Sequence, residues 1–243
     1  MSEPLLLTTT RVSTFEGTRW LTGATGFFFR RGERLFVVSS YHVMFDPGTD
    51  HAPDRIEIEI HVDPKDLTQI VVQSLPLYRD GKSQWRDGRD DGGPIDVAVI
   101  ELDRQALPAT AQISAFTPAH LQHTLREVEV GDSLLVVGFP LGFHDTVHHL
   151  AVVRQASIAS AFGVRFQGQG FFLTDARMHR GTSGAPVVMR DGAGDKSLPW
   201  KLLGVHSSRM DMSTRESAID ESLGLNCAWY ADILMTLTQA ETE

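Results

Sequence analysis

The sequence predicts an all-β protein that is built from two β-rich halves and ends in one helix. Most apolar segments alternate apolar with polar residues, which is typical of strands that bury one face. Branched and aromatic residues dominate these segments, and helical periodicity is scarce before residue 228. A chain of 243 residues is long enough for one large all-β domain or for two small domains.

The first half contains the clearest strand patterns. Residues 26–30 and 34–40 predict a hairpin, because Gly32 lies between them and supplies the positive φ that a short turn requires. Two further strands are predicted over residues 55–62 and 69–77, where branched apolar residues recur at alternate positions.

The segment after these strands changes in composition. Residues 81–94 are rich in Gly, Asp, Arg and Lys, which predicts an exposed loop that carries an isolated Trp85. A strand pattern resumes over residues 95–102. Residues 103–127, with two prolines and polar spacing, predict the connection between the two halves.

The second half repeats the strand pattern and closes on a helix. Residues 228–239 predict this helix because four apolar side chains share one helical face, and Asn226 is a suitable N-cap. The four side chains are Trp229, Ile233, Leu234 and Leu237. The predicted strands of this half cover residues 134–137, 147–157, 171–174, 186–189 and 202–207.

Composition and charge exclude several classes of protein. Hydrophobic residues make up 42% of the chain and charged residues 22%, which is ordinary globular usage and argues against disorder or a coiled coil. No apolar run approaches the roughly 18 to 20 residues that span a bilayer, so we expect no membrane contact. The net charge of −9 repels phosphate backbones, so we expect no nucleic-acid partner.

The amino terminus and the cysteine count predict a cytoplasmic chain. The first ten residues have no basic segment and only three consecutive leucines, which is too short for the apolar region of a signal peptide. Cys227 is the single cysteine and cannot form an internal disulfide. We expect it to be a buried, small apolar side chain.

A serine between glycines is the first candidate for chemistry. In Gly181-Thr182-Ser183-Gly184 the glycines let the backbone turn tightly and aim N–H groups at one point, as stabilisation of an oxyanion requires. The alternative is an ordinary turn, since Ser-Gly pairs usually mark turns.

A serine nucleophile needs a base, and the base needs a third group that orients it. His42 ends an apolar strand run, where a core strand delivers a polar side chain to its rim. Asp96 lies within an apolar strand, where pairing with an imidazole N–H would offset the cost of burying a carboxylate. Taken singly, His42 could be a rim histidine and Asp96 a turn residue, but the order His, Asp, Ser favours a triad.

Three blocks of the sequence resemble the catalytic blocks of the chymotrypsin-like (trypsin-like) serine proteases. These are Val38-Ser39-Ser40-Tyr41-His42-Val43, Ile95-Asp96-Val97-Ala98-Val99-Ile100 and Gly181-Thr182-Ser183-Gly184-Ala185-Pro186. Residues 131–142 and 174–176 further resemble the bacterial trypsin-like, HtrA-type branch. The resemblance covers roughly residues 20–210. It implies two packed six-stranded antiparallel β-barrels, about residues 1–120 and 121–243 of a single peptidase domain, with the active site between them.

The resemblance also implies a role for each matching residue. Ser183 would be the nucleophile, His42 the general base and later acid, and Asp96 the group that fixes the imidazole tautomer. The backbone N–H groups of Gly181 and Ser183 would form the oxyanion hole. Ser207 matches the position whose backbone pairs with the substrate and whose hydroxyl supports the aspartate. The chain departs from secreted digestive members at Thr182, where they carry an aspartate, so we expect no activation by amino-terminal cleavage.

The specificity pocket is predicted from the same resemblance. Its candidate lining residues are His206, Ser207, Arg177 and Met178. The block Gly204-Val205-His206 resembles that of glutamyl endopeptidases, in which the histidine hydrogen-bonds the terminal oxygen of the substrate side chain. We therefore expect cleavage after Glu or Gln; the alternatives are a core histidine and a surface arginine.

Two alternatives to this interpretation concern the function and a metal. The chain could be a β-barrel interaction module that kept the fold and lost the activity. Zinc sites need three or four converging ligands, which the histidine pairs His120/His123 and His148/His149 do not by themselves supply, so we expect no metal site. No phosphate-binding glycine loop is present, and we expect no cofactor. The expected partner is a polypeptide substrate, and a regulatory protein partner is compatible with the sequence.

Overall fold

Each half of the chain forms one large antiparallel β-sheet. The computed structural model describes residues 3–240 except 123, 125, 126, 193–196 and 213–220. The predicted all-β class is confirmed. No helix in the described ranges is both long and apolar enough to cross a membrane.

The first half forms a seven-stranded sheet and a small two-stranded sheet. Its strands are β1 (Thr9–Glu16), β2 (Arg19–Arg31), β3 (Arg34–Ser39), β4 (Arg55–His61), β5 (Ile70–Pro76), β6 (Tyr78–Arg79), β7 (Lys82–Ser83), β8 (Trp85–Asp90) and β9 (Gly93–Leu102). The strand order of the large sheet is β5-β4-β1-β2-β3-β9-β8, and β6 pairs with β7. The predicted hairpin is β2–β3, in which Gly32 has a φ of 59°.

The second half forms a closed six-stranded barrel, as the resemblance implied. Its strands are β10 (Ser133–Gly138), β11 (Val152–Ile158), β12 (Phe171–Asp175), β13 (Pro186–Arg190), β14 (Trp200–Met212) and β15 (Glu221–Tyr230). They close in the order β10-β11-β12-β15-β14-β13. The helices are short: α1 (Tyr41–Met44) follows β3 directly, and α2 (Ile233–Leu237) follows β15.

The prediction of an exposed loop over residues 81–94 is wrong. This segment contains β7 and β8, and β8 pairs with β9 along the edge of the first sheet. Trp85 is only 9% exposed, and its Nε1–H donates to Asp87 Oδ2 at 3.0 Å. Trp85 is the one buried residue of this edge strand. The other residues of β8 are partly or fully exposed and mostly polar, so the sequence shows no alternating apolar pattern there. The first half thus forms a sheet of seven strands where the resemblance implied a six-stranded barrel.

The prediction of a helix over residues 228–239 is wrong for its first part. Ala228, Trp229 and Tyr230 belong to β15, which pairs with β12 and β14, and only α2 is helical. Asn226 does not cap a helix, because its Nδ2–H donates to the carbonyl of Ala176 at 2.8 Å. Pairing within the closed barrel gives hydrogen-bond partners to the backbone N–H and C=O groups along the whole strand. This pairing outweighs a local helical pattern.

The hydrophobic core has three clusters, and the largest joins the two halves. Phe27 and Phe29 of β2 pack in this shared cluster with Phe139 and Val205 from the second half. Phe28, which points to the other face of β2, packs in a cluster inside the first half. The third cluster fills the second barrel. The first sheet is thus buried on both faces where it meets the barrel.

Candidate active site

His42 and Asp96 form the best-defined contact at the junction of the two halves. His42 lies in α1, immediately after β3, and Asp96 lies near the start of the neighbouring strand β9. The imidazole Nδ1 is 2.7 Å from Asp96 Oδ2, and the backbone N–H of His42 donates to Asp96 Oδ1 at 2.9 Å. Asp96 therefore fixes both the ring and the backbone of His42.

The pKa of His42 reflects two opposing effects. Burial lowers the pKa of the imidazole, whereas the hydrogen bond and the charge of Asp96 raise it. The net pKa lies above the ordinary value of 6.5. This imidazole gains a proton more readily than a free histidine, which suits a group that accepts protons.

Ser207 connects this pair to Ser183. The Ser207 hydroxyl in β14 donates a short hydrogen bond to Asp96 Oδ2, and the Ser207 carbonyl accepts a hydrogen bond from Ser183 Oγ at 3.1 Å. Within the described residues, no hydrogen bond joins Ser183 Oγ to His42. The structure therefore gathers His42, Asp96, Ser183 and Ser207 at one junction, with the Ser183 hydroxyl turned towards β14.

The backbone before Ser183 has a defined orientation. The Arg180 carbonyl accepts from the Leu141 N–H at 2.6 Å, and the Gly181 carbonyl accepts from Thr25 Oγ1 at 2.7 Å. Because a trans peptide points its N–H away from its carbonyl, the Gly181 N–H faces away from Leu141. In the described part of the chain, neither this N–H nor that of Ser183 has an acceptor. Both donors are thus available to another molecule.

Thr25 is a site residue that the sequence did not single out. It lies in β2 with no exposed surface, and its Oγ1 also accepts from the Phe139 N–H at 3.1 Å. Its backbone N–H donates to the Ser183 carbonyl at 3.0 Å. One threonine of the first sheet thus holds the Ser183 loop and the end of β10. The sequence shows Thr25 as a hydroxyl residue beside Gly26, which does not specify a hydrogen-bond partner 156 residues away.

Gly184 is the residue on which the packing of this loop depends. Its φ is +85°, and an added Cβ would lie 2.2 Å from the Thr25 carbonyl and 2.3 Å from Ser39 Oγ. Gly184→Ala is therefore expected to destabilise the fold by about 3 kcal/mol or more, through strain and overlap with rigid backbone. Urea unfolding measures the effect.

The matched control for this substitution is Gly192→Ala. An added Cβ at Gly192 has no neighbour within 4 Å. We expect its effect on the free energy of unfolding to stay within about 1 kcal/mol, since a glycine at an open site tolerates alanine. Equal stability of Gly184→Ala and the parent protein would contradict the packing described for this loop.

The residues predicted for the specificity pocket have different environments. His206 lies in β14 and is 2% exposed, and its Nδ1 has no partner within the described residues. Burial and the nearby His42 lower the pKa of His206 to about 4, so it is neutral at pH 7. Arg177 is exposed, and Met178, 3% exposed, packs in the barrel cluster. The structure thus brings His206 near His42 and Asp96 and directs Met178 into the barrel.

The described histidines among those considered as metal ligands each have a partner of their own. His120 is buried and caps a short 3-10 turn through its Nδ1, which accepts from the Thr117 N–H at 3.0 Å, and His123 lies outside the described residues. His148 is paired with Asp145, whereas His149 is 3.1 Å from Glu59 Oε2. His148 and His149 therefore have different partners.

A family profile described as the trypsin-like peptidase domain matches residues 24–193. This range contains His42, Asp96 and Ser183. Among curated proteins, serine protease HTRA1 of Xenopus laevis is 29% identical over 113 residues, which are 46% of this chain and 25% of that protein. The chain thus matches about a quarter of the length of this relative.

Solved structures share the fold at low sequence identity. The HtrA-type protease AlgW, solved with a tripeptide, has a TM-score of 0.56 at 16% identity, over 95% of this chain and 58% of that one. The scabies mite inactivated protease paralogue S-I1 has a TM-score of 0.59 at 18% identity, over 97% of this chain and 94% of that one. At these identities the similarity establishes the chymotrypsin-like fold alone.

Proposed function

This chain belongs to the trypsin-like peptidase family, and we propose on that basis that it is a serine endopeptidase that works through an acyl-enzyme intermediate. The observation that carries the proposal is the chain of contacts from Ser183 through Ser207 and Asp96 to His42. A base, its orienting carboxylate and a nucleophile are thereby gathered at one junction, as acyl transfer requires.

The first half-reaction uses Ser183 as the nucleophile. The hydroxyl rotates about χ1 from Ser207 towards His42, and Nε2 takes its proton as Oγ attacks the substrate carbonyl carbon. Asp96 holds the Nδ1–H, so Nε2 keeps the lone pair that accepts this proton. The imidazolium then gives the proton to the leaving amine, and an acyl-enzyme remains.

The second half-reaction hydrolyses the ester. His42 removes a proton from a water molecule, which attacks the acyl carbon, and returns the proton to Ser183 Oγ as the acid product leaves. The N–H groups of Gly181 and Ser183 stabilise the oxyanion of both tetrahedral intermediates. This proposed role is supported by two hydrogen bonds: the Arg180 carbonyl accepts from the Leu141 N–H at 2.6 Å, and the Thr182 carbonyl accepts from the Ala185 N–H at 2.9 Å. Each carbonyl shares a trans peptide with one of the two donors and therefore points away from it.

A catalytically inactive interaction module is the second candidate. The orientation of the Ser183 hydroxyl, which donates to Ser207 and not to His42, favours it. Hydrogen bonds at catalytic residues are often long or misaligned without substrate, however, and one χ1 rotation restores the nucleophile. The intact His42–Asp96 pair favours the active form.

A fluorophosphonate probe tests the proposed function directly. In such a probe an activated serine oxygen attacks phosphorus and displaces fluoride, so the parent protein is expected to be phosphonylated and Ser183→Ala is not. Absence of labelling in the parent, under conditions in which the protein is folded, would favour the interaction module. Equal labelling of both proteins would show that another residue reacts.

The pH dependence of hydrolysis is expected to follow the raised pKa of His42. A general base must be unprotonated, so kcat/KM falls as pH drops through this pKa, and the midpoint of the acid limb should lie above 6.5. His206 contributes nothing to this limb, because its pKa is about 4. Measuring kcat/KM on a neutral ester across pH gives the midpoint.

An independent titration assigns this limb to His42. The imidazole signals of the parent protein, followed by NMR and assigned with His42→Ala, should give the same midpoint as the kinetic profile. Asp96→Asn should move the His42 titration to lower pH, since the carboxylate that raises the pKa is removed. A kinetic midpoint at or below 6.5 would contradict the predicted direction.

The proposed cleavage preference is for Glu or Gln on the acyl side of the cut. It is supported by the buried neutral imidazole of His206, whose Nδ1 has no partner within the described residues. An oxygen of the substrate side chain would accept a hydrogen bond from this Nδ1. A site built to donate such a bond rejects substrate side chains that leave the donor unpaired. Weaker cleavage is expected after Asp, and little after Lys or Arg.

A peptide library measures this preference in the parent protein and in His206→Ala. We expect the Glu/Gln preference to fall by at least about tenfold in the variant, as loss of a buried hydrogen bond predicts. His120→Ala, which removes another buried histidine, is the control and should leave the profile unchanged. A profile dominated by basic or small aliphatic residues, and unchanged in His206→Ala, would remove the basis for this pocket.

A further inference from the structure

A second cluster of ionisable side chains lies where β4 approaches the loop between β10 and β11. Glu59 belongs to β4, whereas His144 and His149 belong to the loop. One potential ligand atom from each lies within 4.8 Å of those of the other two. The Glu59 and His149 side chains are 10% and 26% exposed, so the cluster is sheltered and still open to solvent on one side.

The tautomer of His144 suits metal binding. Its Nδ1 lies 2.6 Å from the carbonyl oxygen of Gly142. A carbonyl only accepts hydrogen bonds, so Nδ1 carries the proton and Nε2 keeps its lone pair. Histidine ligands of metals almost always donate their other ring N–H to such a group, which fixes the ring and makes the ligating nitrogen more basic.

The two oxygens of Glu59 have separate roles. Oε1 accepts from the Arg11 Nε and Nη2 at 3.0 and 2.6 Å, while Oε2 lies 3.1 Å from His149 Nδ1. Donor atoms at about 2.0 to 2.1 Å from a tetrahedral Zn²⁺ are roughly 3.3 Å apart, so this pair already has the required spacing. Arg11 orients the carboxylate, and its charge makes the affinity lower than at a closed structural site.

The backbone of the loop presents His149 to Glu59. His149 has a φ of 55°, a conformation that residues other than glycine rarely adopt. The loop is anchored on both sides of this residue, because His61 Nε2 contacts the His148 carbonyl at 2.7 Å and the Asp145 N–H donates to Leu150. These contacts hold the His149 side chain beside Glu59.

We propose that Glu59, His144 and His149 form a binding site for one divalent transition-metal ion of the Zn²⁺ class, with a fourth position open to water. Two imidazoles and one carboxylate favour Zn²⁺ over Mg²⁺ or Ca²⁺, which take oxygen ligands. The sequence concealed the site, because Glu59 is 85 to 90 residues away from the two histidines. The bound ion would cross-link the first sheet to the loop that supplies Leu141.

Zinc titration of untagged, chelator-treated protein tests the proposal. Isothermal calorimetry near neutral pH should give one Zn²⁺ per chain, the proton of a neutral His149 moving from Nδ1 to Nε2 as Nδ1 binds the ion. Co²⁺ should give visible d–d bands of the intensity expected for a tetrahedral site. Binding no tighter than that of a protein lacking clustered histidines would overturn the proposal, and so would octahedral Co²⁺ bands.

Variants locate the ion within the loop. His144→Ala and His149→Ala should each weaken Zn²⁺ binding by at least about tenfold and abolish the increase in Tm that Zn²⁺ causes in the parent. His148→Ala removes the histidine between them, which is paired with Asp145, and should bind as the parent does. An equal loss of Zn²⁺ affinity in all three variants, or parental affinity in all three, would overturn the assignment of His144 and His149 as ligands.

Circular dichroism separates loss of the site from loss of the fold. Should an alanine variant unfold, Glu59→Gln keeps the shape of the side chain and an oxygen for Arg11 while it removes the ligand charge. This variant is also expected to lose at least about tenfold in Zn²⁺ affinity. Parental affinity in Glu59→Gln would exclude Glu59 as a ligand. These measurements do not depend on the proposed peptidase activity.

Discussion

Ser183→Ala is expected to lower kcat for peptide or ester hydrolysis by about 10⁵ to 10⁶-fold, since no attacking oxygen remains. His42→Ala should cost nearly as much, because Ser183 cannot lose its proton without a base. The double variant should be little worse than either single variant, since the two residues act as one unit. Steady-state kinetics on an activated ester, at equal and verified protein concentration, measures all three.

The control for these variants is Ser83→Ala. Ser83 is exposed in β7, away from the junction of the two halves, so its loss should leave kcat and KM at parental values. Binding of a non-covalent peptide inhibitor to Ser183→Ala with the parental Kd would indicate that the cleft is intact. Near-parental hydrolysis by Ser183→Ala would exclude this serine as the nucleophile.

Asp96→Asn is expected to lower kcat by about 10⁴-fold with little change in stability. Asp96 accepts from the His42 N–H, from His42 Nδ1 and from the Ser207 hydroxyl. An amide keeps the shape of the side chain but turns a donor towards two of these groups. His42 is then held in the tautomer that carries its proton on Nε2, where it cannot accept the serine proton.

Kinetics and unfolding together separate this effect from a structural one. The free energy of unfolding of Asp96→Asn should change by far less than the activation barrier, which rises by about 5.5 kcal/mol for a 10⁴-fold loss. Asp50→Asn, at an exposed position with a φ of 54° that asparagine tolerates, should leave both quantities at parental values. Retention of more than a tenth of parental kcat in Asp96→Asn would contradict the role of the carboxylate.

The candidate site could be predicted from the sequence where chemistry is local. A serine between glycines and an aspartate inside an apolar strand are each unusual enough to be noticed without knowledge of the fold. The structure joins Asp96 to His42 directly, and it connects Ser183 to this pair through Ser207. The chemistry of these residues depends on the type of side chain, which is known from the sequence alone.

The contacts that support the site could not be predicted in this way. Thr25 is an ordinary strand residue until the Ser183 loop lies against it, and Glu59 is an ordinary polar residue of β4 until the β10–β11 loop approaches. The same cause explains the error at β15, whose local helical pattern gives way to pairing with β12 and β14. Long-range pairing decides these features, and no short stretch of sequence records it.

The proposed active site is divided between the two halves of the chain, and this division determines when the site is complete during synthesis. A growing chain contains His42 and Asp96 long before Ser183, and Ser207 joins them only when β14 is in the barrel. Thr25 then holds the Ser183 loop only when both halves are folded and docked. Because domains fold largely in the order of synthesis, the proposed active site is incomplete in a nascent chain. We therefore expect the proposed activity only after both halves have folded and docked.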